Sequence, residues 1–199
     1  MLRRAAALFC AGILALGIHV GQASADGVFT FERGSDPDLF SVGAGVFAFR
    51  DADRGAEETI ENRSALFQLD WLGGYKFLNF WDYFKVGPMI GGMVNTDGGL
   101  FGWAGIYGVG DLNRIFGWSM TFRPFFGIAA NKQGASRDLG GTFLFHSGAT
   151  LAYVFGNEAS LGLTFSHQSS GGLLNRDGGA NPGADNLLVT YAIPFRKLF

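Results

Sequence analysis

Residues 160–169, SLGLTFSHQS, decide how the rest of the chain reads. Leu161, Leu163 and Phe165 alternate with Ser160, Gly162, Thr164 and Ser166. A β-strand turns successive side chains to opposite faces, so this segment has one apolar face and one small, polar face. Residues 185–195, DNLLVTYAIPF, repeat the pattern. There Leu187, Val189, Tyr191, Ile193 and Phe195 oppose Asn186, Leu188, Thr190 and Ala192. An apolar outside wrapped around a small and polar inside is the pattern of a transmembrane β-barrel. A soluble β-sandwich is the competing architecture, because its inward face is also apolar.

Working outward, strand-like segments occupy 39–49, 63–77, 83–94, 100–110, 116–130, 139–155, 158–169 and 185–195. Eight is an even number, as single-chain bacterial barrels require. The connections 78–82, 111–115 and 156–157 are short, whereas 51–62, 131–138 and 170–184 are longer and more polar. Short periplasmic turns and long surface loops alternate in this way in outer-membrane barrels, and only the short 95–99 connection departs from it. The expected fold is therefore all-β, an eight-stranded antiparallel transmembrane β-barrel. The 32 glycines suit the tight interior of a barrel of that size. Trp71, Trp81, Tyr83, Trp103 and Trp118 are candidates for interfacial girdles, and the chain closes on the aromatic Phe199.

The N-terminus reads as an export signal. Arg3 and Arg4 precede an apolar run from Ala5 to Val20, and Ala23-Ser24-Ala25 offers a cleavage site after Ala25. The run is short for a membrane-spanning helix. The expected organisation is a signal peptide over 1–25 and a barrel over 26–199. Cys10 is the only cysteine and leaves with the signal, so no disulfide or thiol chemistry is expected in the mature chain. The whole chain carries a net charge of −2, and loss of two arginines makes it more acidic, which argues against nucleic acid as a partner.

Along the apolar face of 158–169, the series Leu161, Leu163, Phe165 continues with His167 and Ser169. Asp185 opens the same face of the next strand, so normal hairpin pairing brings it near His167. A serine hydroxyl is a weak nucleophile until a base removes its proton. Histidine does that near neutral pH, and a carboxylate fixes its tautomer. Gly171 and Gly172 offer backbone N–H groups to an oxyanion, and Asn181 offers a side-chain donor. Polar groups on a lipid-facing wall are costly, which favours a functional reading over a pair of interfacial polar residues. His146 and Ser147 are adjacent, so they face opposite ways and cannot pair with each other. Asp51, Asp53, Glu57, Glu58 and Glu61 read as a solvated loop rather than a cation site. No glycine-rich phosphate loop or zinc spacing is present.

LGLTFSHQSSGG at 161–172, NPGADNLLVTYAIPF at 181–195 and RDLGGTFLFHSGATLAYVF at 137–155 resemble the outer-membrane lipid A 3-O-deacylase family, and the likeness spans about residues 97–199. The resemblance implies an eight-stranded barrel in the bacterial outer membrane that hydrolyses the ester-linked 3-O-acyl chain of lipid A in lipopolysaccharide. It implies His167 as base, Ser169 as nucleophile, Asp185 as orienting acid, and Gly172 and Asn181 at the oxyanion. No metal or other cofactor is implied, and a homodimer is left open. Two positions depart from the family pattern: Ser170 stands where asparagine is usual, and Asp185 where the best-known members have glutamate. A non-catalytic barrel of the same fold with a structural or surface role, and an esterase for another outer-leaflet lipid, are the alternatives.

Overall fold

The computed structural model of the chain describes residues 36–50, 63–135, 139, 141–171 and 183–198. The expected signal peptide and the acidic stretch 51–61 lie outside these residues, as does most of the connection 170–184. Nine strands form: β1 (Leu39–Arg50), β2 (Ser64–Leu72), β3 (Leu78–Phe80), β4 (Phe84–Asn95), β5 (Leu100–Asp111), β6 (Met120–Lys132), β7 (Phe143–Val154), β8 (Ser160–Ser169) and β9 (Ala184–Pro194). All pairings are antiparallel, and the additional pairing of β2 with β4 closes the sheet on itself. β3 pairs with the start of β4, just beyond the β2 contact, and so continues β2 after a break. The nine strands thus make eight staves, and the architecture is a closed eight-stranded antiparallel β-barrel.

Closure decides between barrel and sandwich. Outward side chains include Phe67, Leu69, Ile90, Ile128, Leu163 and Val189, each more than half exposed. A belt of this kind around the whole circumference far exceeds what a soluble surface carries, and lipid is the solvent that stabilises it. An arginine in the belt tests this directly. Leu163→Arg, near the middle of β8, is expected to destabilise the barrel by roughly 2–4 kcal/mol, read from urea unfolding in lipid vesicles. A substitution with no effect there would contradict lipid contact.

The interior is filled. Toward the end of the barrel where β1 finishes and β9 begins, Phe47, Phe101, Trp103, Leu144 and Leu188 pack together. Midway down, Thr150, Thr164 and Thr190 form a ladder across β7, β8 and β9, with hydroxyl distances of 2.7 and 3.2 Å. Gln68 donates to Asp70 at 2.8 Å nearby. The hydroxyl and amide bonds pair some of the buried polar groups of the lumen.

Three sequence expectations change. The segment 63–77 does not run through: the chain leaves the ladder after Leu72, and Lys76 turns inward to bond Tyr107 Oη at 2.6 Å and the Gly73 carbonyl at 2.7 Å. The segment 116–130 begins at Met120, because residues 112–116 form a short helix, α1 (Leu112–Phe116). Asp111 caps it by accepting the N–H groups of Asn113 and Arg114, and Gly117 ends it at φ 73°. Trp103 is no girdle residue: it points into the lumen and is 3% exposed. Gly91 makes room for it, since a Cβ there would lie 2.6 Å from the indole ring. Trp71, Trp81, Tyr83 and Trp118 do stay on the surface, toward the end where β1 begins and β9 finishes.

Candidate active site

The site forms where β8 ends and β9 begins, at the end of the barrel opposite the start of β1. Ser166 and Gln168 are buried in the lumen, so His167 and Ser169 fall on the outer face by alternation. In the β8–β9 ladder His167 stands directly opposite Asp185. Directly paired side chains on one face of an antiparallel sheet are neighbours. His167 Nδ1 and Asp185 Oδ1 are accordingly 2.7 Å apart. Aspartate here, a departure from the pattern of the resemblance, still reaches the ring. A carboxylate directly across the ladder needs no additional methylene to reach the ring.

The bond also sets the imidazole's chemistry. With an ionised carboxylate, which only accepts, and a neutral ring, this contact places the hydrogen on Nδ1 and leaves the Nε2 lone pair free. Asp185 is the better shielded of the two, with its side chain 13% exposed against 37% for His167. The imidazole is thus open on the outer face, and the carboxylate is sheltered behind it. Ser169 lies two residues further along the same face and is half-buried. On the other flank, Ser147 of β7 is opposite His167, and Phe145 is opposite Ser169. His167 therefore sits between Asp185 and Ser147.

Gly183, just before β9, closes over the ring. A Cβ on it would lie 2.8 Å from His167 Cε1 and 3.2 Å from Nε2, and its φ is 38°. A side chain there would both strain the backbone and push the imidazole aside. Gly183→Ala is expected to lower ester hydrolysis by about a hundredfold, because small misplacements of a catalytic group cost that much. The barrel should still migrate as a folded species on unheated gels. A wild-type rate in this variant would contradict the close packing.

The remaining sequence candidates separate. His146 points inward, is fully buried, and lies 4.4 Å from the Trp103 ring and 5.1 Å from the Phe125 ring, between centroids. Ser147 faces outward, so the adjacent pair serves opposite sides of the wall. Ser170 is fully buried. Gly172 and Asn181, expected at the oxyanion, lie outside the described residues. Sequence reasoning missed Gly183 and the flanking Ser147. The NPG step at 181–183 hinted at a tight backbone approach, but Ser147 carries no signal without the β7–β8 register.

Comparison with known proteins bears on the family and the fold. A model of the family "Lipid A 3-O-deacylase (PagL)" matches residues 67–194, well over half of the chain and every strand from β4 to β9 in full. Among solved structures, the chain is similar to the crystal structure of the outer membrane enzyme PagL, at 16% identity and a TM-score of 0.54, over 79% of this chain and 99% of that one. It is also similar to the outer membrane protein Ail of Yersinia pestis in a nanodisc, at 14% identity and a TM-score of 0.41, over 79% of this chain and 100% of that one; at that score the likeness carries no weight. No curated protein matches. The family and the closed barrel together place the chain in the bacterial outer membrane.

Proposed function

The chain belongs to the lipid A 3-O-deacylase (PagL) family, and from that premise we propose that it hydrolyses the ester-linked 3-O-acyl chain of lipid A by a serine–histidine–aspartate mechanism. One observation carries the reading: the 2.7 Å His167–Asp185 bond on the lipid-facing wall, with Ser169 on the same face. The site opens sideways, so a lipid of the outer leaflet reaches it without passing through the lumen. Residues 1–25 act as the export signal that delivers 26–199 to the membrane.

His167 Nε2 accepts the Ser169 hydroxyl proton as Oγ attacks the ester carbonyl carbon. Asp185 holds the ring and stabilises the imidazolium that results. The tetrahedral intermediate collapses, the C–O bond to the sugar breaks, and His167 returns the proton to the leaving 3-hydroxyl. Water then attacks the acyl-serine with His167 again as base, and the free fatty acid departs. Gly172 N–H and the Asn181 amide serve as donors to the oxyanion. This mechanism calls on no metal or other cofactor.

Purified chain in detergent, given lipopolysaccharide in one reaction and phosphatidylethanolamine in another, separates the substrate classes. Release of the 3-O-linked hydroxy fatty acid from lipopolysaccharide alone is the expected result. Release from the phospholipid alone would move the reading to a phospholipase. No release from either would favour a non-catalytic barrel.

A further inference from the structure

On the outer side Gly183 packs against the His167 ring, and the lumen side supplies a second constraint on the His167–Asp185 pair. The β1–β9 ladder breaks its register there: Val46 stands opposite Leu187 and Arg50 opposite Asp185, so four steps on β1 match two on β9. Phe47 and Ala48 are both buried, which breaks the alternation, and Ala48 has φ 50°, a conformation that alanine rarely adopts. A bulge of this kind turns a backbone N–H out of the ladder and leaves it to find another acceptor.

Asn186 provides it. Its Oδ1 accepts the Ala48 N–H at 3.2 Å, and its Nδ2 donates to Ser166 Oγ at 3.2 Å. Asn186 and Ser166 are both fully buried and are cross-strand partners. Asn186 follows Asp185 in the chain, and Ser166 precedes His167. One amide thus ties three strands together directly behind the acid and the base. We propose that Asn186 is the positioning residue for the His167–Asp185 pair, locking β1, β8 and β9 so that the carboxylate and imidazole meet in register. The inference rests on the reading of His167 as base. Two strands joined only by ladder bonds slide and twist, whereas a side-chain clamp on the inner face fixes the outer residues beside it. Supporting side chains of this sort set the precision of a catalytic pair.

The test compares Asn186→Leu, Asn186→Asp and Ser166→Ala with wild type, with His167→Ala as reference. Steady-state kinetics on lipopolysaccharide and labelling of Ser169 by a fluorophosphonate are read together. Asn186→Leu should lower kcat by about a hundredfold with KM nearly unchanged, and slow labelling in parallel. Asn186→Asp should restore most of the rate, because a carboxylate accepts both the Ala48 N–H and the Ser166 hydroxyl. A wild-type kcat in Asn186→Leu, a rise in KM alone, or an Asn186→Asp variant as slow as Asn186→Leu would overturn the proposal. Should Asn186→Leu fail to give a heat-modifiable barrel, Ser166→Ala decides: a fall in kcat of about tenfold supports the clamp, and an unchanged kcat contradicts it. Activity that survives His167→Ala overturns both the clamp and the reading beneath it. Loss in His167→Ala with full activity in Asn186→Leu overturns the clamp alone.

Discussion

Ser169→Ala is expected to lower deacylation by about 10⁶-fold, which removes it from view in any ordinary assay. The size follows from the chemistry. In the proposed mechanism the loss of Oγ removes the acyl-enzyme, so hydrolysis would have to proceed in one step with water as the nucleophile. What survives is binding and whatever stabilises the oxyanion. His167→Ala should be as severe, and the double variant hardly worse, because the two groups act as a unit. Folding should be untouched, since Ser169 sits at the rim of the wall and its removal opens no cavity in the lumen. Fatty-acid release from purified lipopolysaccharide, with heat-modifiable migration as the folding control, provides the measurement. Ser169→Ala with a rate within tenfold of wild type would remove it as nucleophile.

Asp185→Asn is the second large effect, at about 10⁴-fold. The change keeps size and shape, so the barrel should survive it. What it alters is the proton on the ring. An amide nitrogen turned toward Nδ1 donates rather than accepts, so the imidazole must place its hydrogen on Nε2. The lone pair is then lost from Nε2, the atom that the proposed mechanism uses to accept the Ser169 proton. Asp185→Glu serves as the contrast: it keeps the charge and should stay within about tenfold of wild type, despite an additional methylene in a 2.7 Å pair. An asparagine variant as active as the glutamate one would show that Asp185 does not govern the tautomer.

Much of this was legible in the chain because a strand has period two. The face shared by Leu161, Leu163, Phe165, His167 and Ser169 follows from spacing alone, and the structure keeps it. Eight staves follow from repeated alternation between turns, whereas closure is settled by the pairing of β2 with β4. Other features depend on contacts that no single strand records. Trp103 looks like an interfacial aromatic until Gly91, on the neighbouring strand, is seen to leave room for its ring. The break after Leu72 depends on Lys76 finding Tyr107, which is 31 residues away. The β1 bulge and the Asn186 bond to Ala48 join residues 138 apart. For the site, the placement of Asp185 opposite His167 required only the hairpin, and the alternation supplied the face. Gly183 and Ser147 required the packing of ring against backbone and the register of a third strand.

The most direct test is the mass of lipid A itself. The wild-type chain and Ser169→Ala are expressed in a Gram-negative host that keeps its 3-O-acyl chain, and lipid A is extracted for mass spectrometry. Wild type should shift the main species down by the mass of one 3-hydroxy acyl group, and Ser169→Ala should leave it in place. No shift with the wild-type chain, or the same shift with both, would contradict a serine-dependent deacylase on the wall of this barrel.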